Sequence, residues 1–425
     1  MSEPIPGFRT VPRTGVIYVM SRAAELGFSY GHPEWANLGQ GSPETGPLPG
    51  SPPRIEALQV KPSLQAYSPV EGLLELREKV AVFYNTVYRK GQRSLYTAEN
   101  VSIAGGGRLA LTRVAAALDA INMGYFIPDY TAYEELLSGF KNFVPIPILL
   151  DPSSGYKISQ GDLRKEVLGR GLSAVLVSNP TNPTGQLAEG NELKAWVRLA
   201  RECRCTFILD EFYSHFIYTG SSPAEGKMVS AAAYVEDVEE DPVLIVDGLT
   251  KNWRYPGWRI SWTVGPRSII EAIASAGSFL DGGANHPFQQ QAVALLDPEL
   301  ALAETVALQT CFWEKRAYML QRLKEMGIEP DADPEGAFYV WANLSRLPEP
   351  LNRGMAFFEA GLKEKVITVP GVFFDVNPGK RRSNMRYEHY ARISFGPEMA
   401  VLERGLDALA RVVASAGVAR SRASA

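Results

Sequence analysis

Cysteine and histidine are scarce in this chain, at three and four residues among 425. Cys203 and Cys205 form a single Cys-x-Cys without a second ligand pair, Cys311 stands apart, and His32, His215, His286 and His389 lack metal-ligand spacing. Neither a disulfide framework nor a metal site is therefore expected, and the thiols read as reduced and structural. An excess of one charge is also missing: 43 Lys and Arg stand against 47 Asp and Glu, a net −4, which offers no broad basic surface to nucleic acid or an anionic membrane. The apolar stretch Phe143 to Leu150 is interrupted by prolines and too short to span a bilayer, and Met1-Ser2-Glu3-Pro4-Ile5-Pro6 lacks the charged-then-apolar order of a signal peptide. The expectation is a cytoplasmic protein whose partners are small molecules, with no nucleic acid and no membrane.

What is present begins with Lys251, in Asp247-Gly248-Leu249-Thr250-Lys251, followed eight positions on by Arg259 in Pro256-Gly257-Trp258-Arg259. A lysine amine can form a Schiff base with an aldehyde, and a guanidinium can hold a phosphate with a bidentate fork. Upstream, the buried-strand pattern Ala174-Val175-Leu176-Val177-Ser178 breaks at Asn179-Pro180-Thr181-Asn182-Pro183-Thr184-Gly185. That turn is either a plain polar loop or a place where the Asn182 amide meets a ligand at the carboxyl end of a parallel strand. The run Thr206-Phe207-Ile208-Leu209 ends in Asp210-Glu211-Phe212-Tyr213. An acid there is costly unless paired, so Asp210 either caps the next segment or meets a cation such as a protonated pyridine nitrogen, with Tyr213 in reach of the same ligand. Asn100 to Ala104 reads as a strand entering Gly105-Gly106-Gly107-Arg108 and then a helix, the outline of an anion site built on bare backbone amides. Each motif alone has an ordinary explanation in a tight turn or a solvated charge; Trp253, Trp258 and Trp262 read as packing.

In this order, the segments resemble the aspartate aminotransferase superfamily, the fold-type I pyridoxal-phosphate enzymes, and within it the class I/II aminotransferases, from about Asn37 to Val413. The resemblance implies Lys251 as the Schiff-base lysine and Arg259 as the phosphate arginine, with the Gly105 and Gly106 amides also on the phosphate. It implies Asp210 on the pyridine nitrogen, Asn182 and Tyr213 on the phenolic oxygen, and Thr250 among the cofactor contacts. In Pro128-Asp129-Tyr130 the ring-stacking aromatic falls on Tyr130. Arg392, in Tyr390-Ala391-Arg392-Ile393-Ser394-Phe395, resembles the arginine for the substrate carboxylate, with Gly39 of Asn37-Leu38-Gly39-Gln40-Gly41 close to it and Asn182 also on the substrate. Tyr67 resembles the tyrosine that reaches the partner subunit's phosphate, which implies a homodimer with shared sites. Gly336 in Pro334-Glu335-Gly336 resembles a structural turn.

The implied activity is pyridoxal 5′-phosphate-dependent transfer of an amino group from an α-amino acid to a 2-oxo acid. The alternative is elimination, replacement or cyclisation at the substrate side chain on the same fold. A regulator carrying this fold is disfavoured, because the stretch before Asn37 is too short for a winged helix. Two departures stand out: serines usual three and one residues before the lysine are Gly248 and Thr250 here, and the glycine turn lacks its usual hydroxyl. Arg22, Arg108 and Arg254 are candidates for a second substrate cation. The expected architecture is α/β: a large domain with a mostly parallel mixed sheet between helices, and a smaller α/β domain from the N- and C-terminal segments. The boundaries are 1–53 for an arm and part of the small domain, 54–300 for the large domain and 301–425 for the small one. A long helix is expected over Leu300 to Met326, a strand over Val366 to Val369, and fraying after Val413.

Overall fold

The structure, a computed structural model, describes Gly7 and residues 15–423. Met1 to Pro6, read above for a signal, lies outside them. Seven strands form the main sheet: β1 (Val101–Ala104), β2 (Asn122–Ile127), β3 (Val144–Leu149), β4 (Leu172–Ser178), β5 (Thr206–Asp210), β6 (Val243–Gly248) and β7 (Ser261–Val264), in the order β1-β7-β6-β5-β4-β2-β3. Neighbours from β6 through β3 are parallel, while β7 runs antiparallel to both β6 and β1. Two reversals restore the direction, so β1 points the same way as β2 to β6, and six carboxyl ends share one edge. β4 and β5 are buried on both faces, as continuous apolar runs in a covered parallel sheet should be. The helix Gly190–Cys203 shows the complementary pattern: Leu193, Trp196, Val197 and Ala200 recur at helical spacing and face the core.

A four-stranded sheet places Tyr390–Ser394 between Tyr339–Asn343 and Val369–Pro370, and Ala36–Asn37 pairs in parallel with Val366–Ile367. The first and last parts of the chain thus build the smaller α/β layer together. The single strand expected over Val366 to Val369 is two, because the chain changes sheet at Thr368. The long helix is Pro298–Glu325, starting before Leu300: Asp297 accepts the amides of Glu299 and Leu300, and proline suits the first turn, where no amide is needed. The stretch after Val413, expected to fray, continues the helix Met399–Ala423. Within the Gly- and Pro-rich N-terminal region, a helix Gly15–Glu25 forms and buries Val19 and Ala23 at a four-residue interval.

Beneath the lysine-bearing turn lies a buried polar cluster. Asn252 donates to both carboxylate oxygens of Asp247 at 3.0 Å and to Ser214 Oγ at 2.9 Å, and its Oδ1 accepts the His215 amide at 3.1 Å. It thereby ties the segment after β6 to the segment after β5. Glu211 beside it accepts the Ala231 amide at 2.8 Å, while its other oxygen has no partner. Burial pushes Glu211 up to about 8. Since the native value exceeds the ordinary 4.5, the acid's contribution to stability is complete below pH 4.5 and is lost as pH rises through about 8. Glu211→Gln, which mimics the neutral acid, is expected to remove a decline on the order of a few kcal/mol across that window, measured by denaturant unfolding at several pH values. An unchanged slope would place the titration elsewhere.

Candidate active site

The shared carboxyl edge of the sheet opens into one cavity of about 440 Å³. After β1 come Gly107 and Arg108; after β2, Tyr130; at the end of β4 and beyond it, Ser178 and Asn182. Asp210, Phe212 and Tyr213 follow from β5, Thr250 and Lys251 come after β6, and Arg259 precedes β7. The parallel register sets Ser178 beside Asp210 in one row, so the two strand ends reach the cavity together. Arg392 enters from the small sheet, and Gln40 and Gly41 from the N-terminal segment. The cavity therefore unites Asp210, Tyr213, Tyr130, Asn182, Thr250, Lys251, Arg259 and Arg392 from the sequence reading. Tyr67 does not line it and is 97% exposed.

Arg392 is 1% exposed, yet each of its partners is neutral. It donates to Asn182 Oδ1 at 2.9 Å and to the Gly39 carbonyl at 2.6 Å, lies 4.2 Å over the Tyr339 ring and 5.0 Å over Phe374, and leaves Nε unsatisfied. Arg89, equally buried, has its guanidinium nitrogens on carbonyl oxygens; Arg392, with a nitrogen left over and the cavity beside it, is free to take an anion from outside the chain. Asn182 is fixed in turn by its backbone N–H, which donates to Ser178 Oγ at 3.1 Å, and Ser178 donates to Asp129 at 3.3 Å.

Lys251 donates to the Gly41 carbonyl. Burial, then the charges of Arg392, Arg259 and Arg108, lower it from 10.5 to about 7, against the opposing pull of Asp210. Asp210 is raised to about 6 by burial, while Tyr133, donating at 2.6 Å, the Phe212 amide and Lys251 hold it down. Four cationic side chains thus face a single acid in the cavity lining. Tyr133 and Tyr339 were missed by the sequence reading. Tyr133 lies three residues beyond Tyr130, and Tyr339 anchors the Tyr213 hydroxyl at 2.7 Å. Only contact across the fold reveals the second. Of the three further arginines considered, Arg108 lines the cavity, whereas Arg254 is buried on Glu304 and Arg22 pairs with Glu359 and Glu25.

The donor set fits pyridoxal phosphate. At the glycine turn, Gly106 has φ 101°, and a Cβ there would lie 2.0 Å from the Arg259 guanidinium, so only glycine lets the arginine lie against this backbone. The Gly106 amide is taken by the Ala104 carbonyl at 2.8 Å, which leaves the open amides of the turn at Gly107 and Arg108, the first residues of the uncapped helix Gly107–Ala117. Thr250 Oγ1 is buried without a partner. Open amides, an orphan hydroxyl and a guanidinium together suit a phosphate, and an ionisable Asp210 suits a protonated ring nitrogen.

The model of the family described as aminotransferase class I and II matches residues 33–409. An aspartate aminotransferase of Streptomyces avermitilis is 27% identical over 296 residues, 69% of each chain. An aspartate/prephenate aminotransferase of Thermus thermophilus is 27% identical over 353 residues, covering 82% of this chain and 84% of the relative. Among solved structures, the aspartate aminotransferase from Thermus thermophilus with maleate superposes with a TM-score of 0.75 at 24% identity, over 95% of this chain and 100% of that one. An aminotransferase from Mycobacterium tuberculosis gives 0.77 at 23% identity, over 97% and 100%.

The position of Lys251 among cations has a direct consequence for its reactivity. In cofactor-free protein, imine formation with an added aldehyde, followed by absorbance, is expected to rise with a midpoint near pH 7, and Arg392→Gln to move that midpoint upward. A midpoint left near 10.5 in the parent protein would contradict the electrostatic account.

Proposed function

Because the chain belongs to the class I and II aminotransferases, and so is a pyridoxal-phosphate-dependent aminotransferase, we propose that it moves the amino group of an α-amino acid to a 2-oxo acid with Lys251 as proton carrier and Arg392 as carboxylate clamp. The observation that carries this reading is the buried Arg392 guanidinium, which has no anionic partner among the described residues. In this reading residues 54–300 form the cofactor-binding domain, and 301–425 together with the arm 1–53 form the domain that delivers Arg392.

Pyridoxal phosphate, when bound, supplies an aldehyde for an amine to capture and a ring that accepts the electron pair left at Cα. The chain's own groups do the rest. Arg392, steadied by Asn182 and Gly39, fixes the α-carboxylate and hence the orientation of Cα. Lys251, with a value of about 7, has a substantial neutral fraction at physiological pH and can take the Cα proton and return it. Asp210, which accepts the Tyr133 hydroxyl, would keep the ring nitrogen protonated. Tyr130 would stack on the ring, Tyr213 and Asn182 would hold its phenolic oxygen, and Arg259, Thr250 and the glycine turn would hold the phosphate. Tyr67, exposed on its own chain, serves the partner's site in a cytoplasmic homodimer. The names of the relatives place aspartate and prephenate first among substrates to try.

The test is a single turnover of the pyridoxal-phosphate form with a panel of amino acids and no oxo acid, with cofactor and products followed by mass spectrometry. Pyridoxamine phosphate and a matching 2-oxo acid are expected; an altered amino acid with pyridoxal phosphate retained would overturn the reading. Tyr133→Phe removes one hydrogen bond to a charged group, worth about 1.5–3 kcal/mol. It is expected to lower turnover on the order of 10-fold or more while leaving the substrate KM nearly unchanged. An unaltered turnover would detach Tyr133 from the ring nitrogen's partner.

A further inference from the structure

The phosphate end of the cavity is short of hydroxyls for steric reasons. At Gly248 a Cβ would lie 2.6 Å from the Ile260 carbonyl oxygen and from Ser261 Cα, because β6 and β7 close together there. At Gly106 it would meet Arg259 at 2.0 Å, and at Gly107 the Phe212 ring at 2.5 Å. At Gly248 the obstacle is backbone, at Gly107 an aromatic ring, and at Gly106 a φ of 101° that favours glycine, with Arg259 the part that can shift. Thr250 is left as the hydroxyl of this region, and charge is the other way to hold a dianion.

Two guanidinia flank the turn. Arg259 lies against Gly106, and its side chain's one hydrogen bond is to the Pro256 carbonyl at 3.1 Å. Arg108, two residues after Gly106, lines the same cavity from the first turn of the helix Gly107–Ala117, and its guanidinium bonds to the Tyr130 hydroxyl at 3.0 and 3.2 Å. Neither has a carboxylate partner among the described residues. Both guanidinia line the cavity and both reach solvent; burial, and after it the charge of Arg108, hold Arg259 below the usual arginine range, while Tyr130 raises Arg108. Such a pair beside the open amides of a helix start is stabilised by a doubly charged anion.

We propose that Arg108 is a second cationic anchor of the cofactor's phosphate, replacing the hydroxyls that the glycines at 106, 107 and 248 exclude. The inference rests on the reading of this cavity as the pyridoxal-phosphate site. Arg108 brings both its backbone amide and its guanidinium to that anion, while Tyr130 holds the guanidinium beside the ring. The competing anion is a carboxylate on the substrate side chain, since a smaller cavity of about 260 Å³ shares Arg108, Tyr130, Leu111 and Val16 with the main one. The position of Arg108 at the helix start, next to Arg259, favours the phosphate.

The experiment compares parent, Arg108→Gln and Arg108→Lys as holoenzymes, measuring cofactor release on dilution and rebinding by the stripped protein through imine absorbance, with pyridoxal lacking the phosphate as a second probe. Arg108→Gln is expected to weaken pyridoxal phosphate binding on the order of 10- to 100-fold, with pyridoxal affinity unchanged and partial recovery in Arg108→Lys. Thermal unfolding of the cofactor-free variants, expected to match the parent, separates loss of binding from loss of fold. Unchanged phosphate-ester binding with a raised KM for acidic amino acids would overturn the proposal and assign Arg108 to the substrate. Equal weakening toward pyridoxal and pyridoxal phosphate would overturn it too. A parent protein that forms no imine with either probe would instead defeat the cofactor reading beneath it.

Discussion

The arrangement of the site depends on uncompensated positive charge. Arg392 at one end of the cavity and Arg259 and Arg108 at the other are all without carboxylate partners among the described residues, and Lys251 lies between them. Arg392 is buried and Lys251 half-buried, where solvent screens charge weakly, whereas Arg108 and Arg259 reach solvent. Burial first, and after it the charges of Arg392, Arg259 and Arg108, lower the lysine to about 7. The guanidinia that line the cavity thus add to burial in leaving the amine a neutral fraction near pH 7.

That charge pattern is affordable because the fold supplies many carboxyl strand ends at one edge. Had β7 been the last strand rather than an insertion between β6 and β1, the glycine turn after β1 would not lie beside Arg259. The antiparallel β7 starts at Ser261, level with Ala104 on one side and Gly248 on the other. This register brings the segments around residues 105, 248 and 259 to the same place, and it explains the glycines: three backbones and a guanidinium converge with no room for Cβ atoms at 106 or 248. Gly336 repeats the logic, since a Cβ there would lie 2.5 Å from Pro180 in the loop that presents Asn182.

Much of this was legible in the sequence, for identifiable reasons. Strands buried on both faces leave uninterrupted apolar runs, so β4 and β5 and their terminal residues Ser178 and Asp210 could be read directly. Lysine, asparagine and arginine in the turns beyond them were tied to chemistry through the resemblance that the ordered motifs carry together, since each alone has an ordinary explanation. Trp253 and Trp262 were read as packing, and both are buried, with indole nitrogens donating to the Leu295 carbonyl and the Tyr84 hydroxyl. What could not be read depends on contacts between distant segments. Tyr339 meets Tyr213 across 126 residues, and Gly41 receives Lys251 across 210. Neither carries a local signal. The helix Gly15–Glu25 was hidden by the glycines and prolines around it, and the switch of sheet at Thr368 by the β-branched residues on both sides.

The two buried acids at this edge show how local donors decide which of them carries charge. Asp129 and Asp210 are both buried, and the charge of Asp210 raises Asp129 further, so full ionisation of both is disfavoured. Asp129 accepts the Tyr130 amide at 2.7 Å and Ser178 Oγ at 3.3 Å, but its second oxygen has no partner, and its value lies well above the carboxylate range. Asp210 has Tyr133, the Phe212 amide and the nearby Lys251, and rises only to about 6. Burial and the charge of Asp210 push Asp129 upward, while more donors limit the rise of Asp210, so of the two the charge favours the residue that faces the cavity. Asp129 serves as a brace: it fixes the backbone at Tyr130 and, through Ser178, the turn that carries Asn182 to Arg392. One acid sets position and the other sets charge, and the difference between them arises from the hydrogen-bond donors each one meets.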